Sequence, residues 1–178
     1  TDWDAPFQAG SEEGSVYAVK TNGRLYSWGK NHVGQLGHNN TSDATYPITV
    51  GTDTTWSADQ SKNAGGATCV GAIKTDGSLW TWGNGNAGQL GLNQNSDYSS
   101  PKQLPGTNWR SIGFTGTYGA MASKTDGSLF SWGQNAKGSL GHNNTTDYSS
   151  PRQVPGFQNA GVIGGRPQSF NVVTQEAQ

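Results

Sequence analysis

One ten-residue phrase occurs three times in this chain with small changes: KTNGRLYSWG at 20–29, KTDGSLWTWG at 74–83 and KTDGSLFSWG at 124–133. Self-similarity at a period of about 50 residues is the signature of a propeller, solenoid or array. In such folds one unit cannot bury its faces alone, and its neighbours bury them. At the centre of each phrase stands Asn22-Gly23, Asp76-Gly77 or Asp126-Gly127. These pairs are two-residue hairpin signals, because Gly and Asn/Asp tolerate the positive φ such turns need. A short apolar segment precedes each turn: VYAVK (16–20), VGAIK (70–74) and AMASK (120–124). RLYSWG (24–29), SLWTWG (78–83) or SLFSWG (128–133) follows it. Strand alternation puts Leu25, Leu79 and Leu129 on one face and Tyr26/Trp28, Trp80/Trp82 and Phe130/Trp132 on the other. Both faces are apolar, so these strands are expected to be covered on both sides.

The unit extends beyond the hairpin. NHVGQLGHNN (31–40), NGNAGQLGLN (84–93) and QNAKGSLGHNN (134–144) come next, followed by polar loops ending in Pro: SDATYP (42–47), SDYSSP (96–101) and TDYSSP (146–151). Trp3, Trp56, Trp109 and Phe157 open the units, at spacings of 53, 53 and 48 residues. Each unit offers four short strands and no helical periodicity. The expected fold is therefore all-β: three four-stranded antiparallel propeller-type blades over about 3–55, 56–108 and 109–156, and an incomplete fourth copy over 157–174. Trp28, Trp82, Trp132, Trp56 and Trp109 are assigned to the repeat core.

These features resemble the regulator of chromosome condensation repeat family. The likeness rests on the D-G-S-L-aromatic-x-W-G hairpin, the following G-Q-L-G, the Pro about ten residues later, and Trp109-x-x-Ile112-Gly113. It runs over essentially residues 3–174. It implies a propeller of typically about seven four-stranded blades. Two departures accompany it. A His that the family places just before the inner strand is replaced here by Ser15, Cys69 and Gly119. The insertion and basic tail that nucleotide exchange and chromatin docking would require are not visible. In composition, GHNNTTDYSSPRQVPG (141–156) is similar to repeat arrays of bacterial surface and phage proteins.

Composition narrows the function. The chain has 178 residues, a net charge of -1, 13% charged residues and seven Trp, with mean hydropathy -0.70. Large aromatics in this number argue for a folded chain. No Lys/Arg block provides the footprint of a nucleic-acid binder. No apolar run of about 18 residues suggests a membrane span, and no signal peptide is visible. Cys69 alone supports neither a disulfide framework nor an all-Cys metal site. His38 and His142 share one repeat slot, where the middle copy has Leu92, so a structural role is expected. There is no G-x-S-x-G elbow, and GNGNAG (83–88) lacks the Lys-Ser/Thr of a phosphate loop. No catalytic, metal or cofactor site is expected. Asp97 and Asp147, like Asp43, precede the loop Pro and suit Asx turns better than calcium. Tyr98 and Tyr148, with Tyr46 slightly shifted, fit either recognition loops or packing between blades.

The expected function is a non-catalytic module presenting loops with Tyr46, Tyr98, Tyr148, Asp97 and Asp147 to a protein or glycan partner. An extracellular or virion-surface assembly is the favoured setting. The alternative is a regulator of an intracellular protein, such as a small-GTPase exchange factor. Three copies do not close a propeller. The residues are therefore expected to belong to a longer chain, or to associate with copies of themselves through orphan strands near Trp3 and Phe170.

Overall fold

The computed structural model describes residues 2–3, 7–9, 14–115, 118–166 and 169–174. Among these residues fourteen strands form four antiparallel sheets. Strands β1 (Phe7–Ala9), β2 (Ser15–Val19), β3 (Leu25–Gly29) and β4 (Ala44–Thr49) make the first sheet in chain order. Strands β5 (Asn63–Gly65), β6 (Cys69–Ile73), β7 (Leu79–Gly83) and β8 (Tyr98–Gln103) make the second. Strands β9 (Trp109–Thr115), β10 (Gly119–Lys124), β11 (Leu129–Gly133) and β12 (Tyr148–Gln153) make the third. The pair β13 (Ala160–Arg166) and β14 (Ser169–Thr174) makes the fourth. One 3-10 turn, Gln60–Lys62, precedes β5.

The repeated phrase forms the two central strands of each blade. In the second copy Val70 pairs with Trp82 and Ile73 with Leu79. The Asp76 carboxylate accepts from the Ser78 N–H at 2.9 Å and its hydroxyl at 2.7 Å, which fixes the turn. Gly77 adopts φ +81, and a Cβ there would lie 2.2 Å from the Thr107 carbonyl oxygen of the connection entering the next blade. First strands touch in succession, β1 with β5, β5 with β9 and β9 with β13. The blades therefore fan out around one line, with β4, β8 and β12 as outer edges.

The hydrophobic core lies between blades rather than within one. A first cluster joins Tyr17, Val19, Leu25 and Leu36 to Trp56, Val70, Ala72 and Trp82. A second joins Cys69, Ile73, Leu79 and Leu90 to Trp109, Ile112, Phe114 and Trp132. In β6 all five residues are buried, because Val70 and Ala72 serve the first seam while Cys69 and Ile73 serve the second.

Two local expectations are corrected. The segment near Trp3 is no orphan: Trp3 bridges Lys20, and β1 pairs with β2. The segment near Phe170 pairs as β14 with β13. The Pro-bearing stretches are not loops either. Pro47, Pro101 and Pro151 lie inside β4, β8 and β12. An outer-edge strand can hold a residue without an N–H, because that side needs no ladder partner.

Candidate functional site

Each seam is held by the G-Q-L-G stretch of one blade and the Trp of the next. Trp82 Nε1–H donates to the Gln35 carbonyl oxygen at 2.7 Å, and Trp132 Nε1–H to that of Gln89 at 2.8 Å. The Tyr17 hydroxyl also donates to the Gln35 carbonyl, at 2.6 Å; burial pushes this phenol far above its ordinary pKa. The Asn39 and Asn93 N–H groups donate to the Ser99 and Ser149 carbonyls, each at 2.7 Å.

Each blade carries a cluster of one lysine and two aromatic rings. Lys20 sits 4.7 Å from the Trp3 ring centre and 5.1 Å from that of Tyr26. Lys74 sits 4.8 Å from Trp56 and 3.9 Å from Trp80. Lys124 sits 4.9 Å from Trp109 and 4.6 Å from Phe130. Such cation–ring contacts each contribute on the order of 0.5–2 kcal/mol. The clusters of blades two and three open into seam pockets of about 560 and 440 Å³. In the first pocket the Lys74 ammonium hydrogen-bonds the Asp53 carboxylate. Burial pushes the Asp53 carboxyl up, but the Lys74 bond and the Thr55 hydroxyl and N–H outweigh it and bring it down to about 2.

The residues singled out by sequence fall into three groups. Trp82, Trp132, Trp56 and Trp109 are buried. Trp28 is half-buried and packs on the first cluster. Tyr98 and Tyr148 begin β8 and β12 and are half-buried. Lys102 lies over the Tyr98 ring at 5.4 Å, and Arg152 over Tyr148 at 4.6 Å. Tyr46, within β4, is 65% exposed. The Asp residues do not make the local Asx turns expected of them. The Asp97 carboxylate accepts from the Gly85 N–H at 2.9 Å, and Asp147 from the Asn135 N–H at 2.6 Å; Asp43 accepts from Asn31 at 2.8 Å. These bonds close the whole β3–β4-type connection across 12 residues, a span that residue-neighbour rules do not reach.

The histidines are built into the same connections. His38 Nε2 lies 2.8 Å from Ser27 Oγ, and His142 Nε2 2.9 Å from Ser131 Oγ. The pairing has the spacing of a serine nucleophile and its base, but each hydroxyl has another acceptor. Each hydroxyl donates to a carbonyl, Ser27 to Leu36 at 2.6 Å and Ser131 to Leu140 at 2.7 Å. The serine proton is thus bound to a backbone oxygen rather than offered to the ring. In the middle copy Thr81 makes the same bond to Leu90 at 2.8 Å without any histidine. Cys69 is buried, and burial pushes its thiol up to about 12. Such a thiol is inert. No group of three or more potential metal-ligating side chains occurs among the described residues.

Sequence reasoning missed the lysines. Lys20, Lys74 and Lys124 open the repeated phrase in every copy, which was the available signal. It also missed the buried Asn31 and Asn135. Each accepts from a backbone N–H, of Leu36 at 2.8 Å and Leu140 at 3.0 Å, and donates back to the loop.

The regulator of chromosome condensation (RCC1) repeat model matches residues 22–70, 76–114 and 126–164. These spans cover well over half of the chain, which belongs to this repeat family. Each span begins at a hairpin turn and ends in the next blade, so the family's unit contains a seam. The chain is 33% identical over 94 residues to the human E3 ubiquitin-protein ligase HERC2, covering 51% of this chain and 2% of that protein. It is 35% identical over 91 residues to the ultraviolet-B receptor UVR8 of Arabidopsis thaliana, covering 51% and 20%. Among solved structures, Prp20p from Saccharomyces cerevisiae superposes with a TM-score of 0.80 at 18% identity, over 98% of this chain and 44% of that one. Human WBSCR16 superposes with a TM-score of 0.71 at 21% identity, over 86% and 38%. These structures share the fold. The chain spans less than half the length of each. No helix of the described residues is long and apolar enough to cross a membrane.

Proposed function

We propose that this chain is a non-catalytic binding module that presents its outer strands and connections to a protein partner. One observation carries the reading. The Ser, His and Asp residues that recur from copy to copy are each committed to hydrogen bonds that hold the blade connections, while the aromatic Tyr46 stands open on the outer edge. Aromatic side chains amid polar neighbours are the usual anchors of recognition surfaces. Prp20p, which shares the fold, has binding properties to Gsp1p and histones, and yeast RCC1 is bound by Kap60. Protein ligands are therefore the first to seek, with a glycan second. The neutral, Asn/Ser/Thr-rich surface favours an extracellular or virion setting, with the chain as part of a larger propeller or assembly.

Photo-crosslinking tests this. A crosslinking residue at position 46, 98 or 148 of the intact protein in its own source should capture a discrete protein. Adducts only from positions on the hairpin-turn face, with none from these three, would overturn the proposed surface. The family resemblance supports a second reading, a regulator such as a small-GTPase exchange factor. Acceleration of nucleotide release from a small GTPase would favour it, and no acceleration would retire it.

A further inference from the structure

The two seam pockets are built alike and differ in charge. In the first, Lys74 has its two rings and also the Asp53 carboxylate. Asp53 lies on the connection VGTDTTW (50–56), which is one residue longer than its counterpart LPGTNW (104–109). In the second pocket Lys124 has its two rings and, like Lys74 with Asp76, only a through-space charge contact with the turn carboxylate, here Asp126. No carboxylate lines the cavity among the described residues. Asp126 lies two residues away, but its carboxylate takes the Ser128 N–H and hydroxyl at 2.9 and 2.6 Å. Lys124 is half-buried. Its ammonium thus faces a cavity of about 440 Å³ whose lining includes Leu92, Pro105, Trp109, Phe130, Asn93 and Gln103. A partly desolvated cation with apolar walls gains from an opposite charge more than a surface cation does.

We propose that the second seam pocket is a binding site for an acidic side chain carried on an extended segment of a protein partner, with Lys124 pairing its carboxylate and Trp109 and Phe130 flanking its stem. This deepens the binding-module reading and rests on it. The first seam shows the ligand chemistry: there, the carboxylate that satisfies the equivalent lysine is delivered by a polypeptide loop of this chain. Asp53 pairs the first lysine from within, and the second lysine is left for a partner. The cavity also lies beside the outer edge of β12, from which Ser150 and Pro151 line it. An extended segment can run along such an edge, which leaves backbone groups unpaired.

The test uses the full chain and a peptide copying residues 50–55, acetyl-Val-Gly-Thr-Asp-Thr-Thr-amide, with an Asp→Asn twin and sodium acetate as probes. NMR follows the Lys124 ε-methylene and Trp109 indole signals. The Asp peptide should move both saturably at concentrations on the order of millimolar or below, and the Asn twin should bind at least about tenfold more weakly. Lys124→Gln should abolish the shifts, and Lys124→Arg should retain them. Asp53→Asn should remove the charge paired with Lys74, so that the Lys74 and Trp56 signals begin to respond. Three results would each overturn the proposal: equal binding of the twins, no response to millimolar Asp peptide, or acetate matching the peptide midpoint, which marks a bare anion site. A negative titration leaves the crosslinking at position 46 untouched, so the two readings fail separately.

Discussion

Gly91 and Trp132 meet across the second seam so closely that the glycine has no substitute. Gly91 adopts φ +73, and a Cβ there would stand 2.8 Å from Trp132 Nε1 and 3.0 Å from Leu104. The indole N–H is held in place by the Gln89 carbonyl, so it cannot move aside without leaving a buried oxygen unpaired. Gly141 is its counterpart in the third copy. It has almost the same backbone, φ +75, but a Cβ would meet only Val154, at 3.3 Å. The two positions share the left-handed strain and differ in the seam. Gly141→Ala is expected to cost about 1–2 kcal/mol, the price of that backbone for a residue with a Cβ. Gly91→Ala should cost about 1–3 kcal/mol more through overpacking. Thermal or urea melts of the two variants measure the difference, and equal losses would show that the Trp does not press on the glycine.

The connection between the third and fourth strands of a blade is the element that sequence rules read least well. Within it His142 is buried and hydrogen-bonded to Ser131. Burial lowers its pKa from the ordinary 6.5; a hydrogen bond at Ser131 opposes this, and the Arg152 charge adds to it. His38 is lowered in the same direction, again by burial first, with a ring hydrogen bond to the Ile48 backbone opposing. A folded state that holds histidine neutral binds fewer protons than the unfolded chain. Stability is therefore full above pH 6.5 and falls as pH drops below it. His142→Leu, which copies Leu92 of the middle blade, should flatten the decline of Tm between pH 7 and 5, and adding His38→Leu should flatten it further. An unchanged slope in the double variant would assign the acid sensitivity elsewhere. The hairpins were legible in the sequence, because Asp-Gly turns and alternation act over neighbouring residues. The Trp positions were legible because both faces of their strands are apolar. The Asp97–Gly85 and Asp147–Asn135 bonds were not, since they span 12 residues of irregular backbone. Nor were β8 and β12, where a Pro that usually ends a strand sits on an edge that does not need its N–H. The lysine clusters were hidden for another reason: strand-end lysines look solvated until the facing aromatic rings are placed.

At the scale of the molecule the two seams set a standard that the outer faces do not meet. Gly34, Gln35 and Gly37 are buried by the second blade, and Gly88, Gln89 and Gly91 by the third. Their counterparts Gly138, Ser139 and Gly141 are exposed. At the opposite side Trp28 is only half-buried and Trp3 is 42% exposed, where the next two blades bury their Trp56 and Trp109. One face therefore lacks an incoming Trp and the other lacks a G-Q-L-G stretch to receive one. Burial of a large aromatic side chain contributes about 1.5–3 kcal/mol, so leaving both faces open forfeits several such contributions. The fourth sheet already provides the first two strands of a further blade in β13 and β14. What it needs is a β11-like strand whose Trp would cover Gly141, followed by an outer strand. The masses of the protein isolated from its source test what covers the open faces: a denatured mass well above the 18.7 kDa of these residues, with an equal native mass, would assign that cover to further blades of the same chain. A denatured mass near 18.7 kDa with a multimeric native mass would instead make the open faces joining surfaces between copies. A soluble monomer of that size with one cooperative melt would defeat both arrangements, because its exposed blade faces would then be stable as they stand.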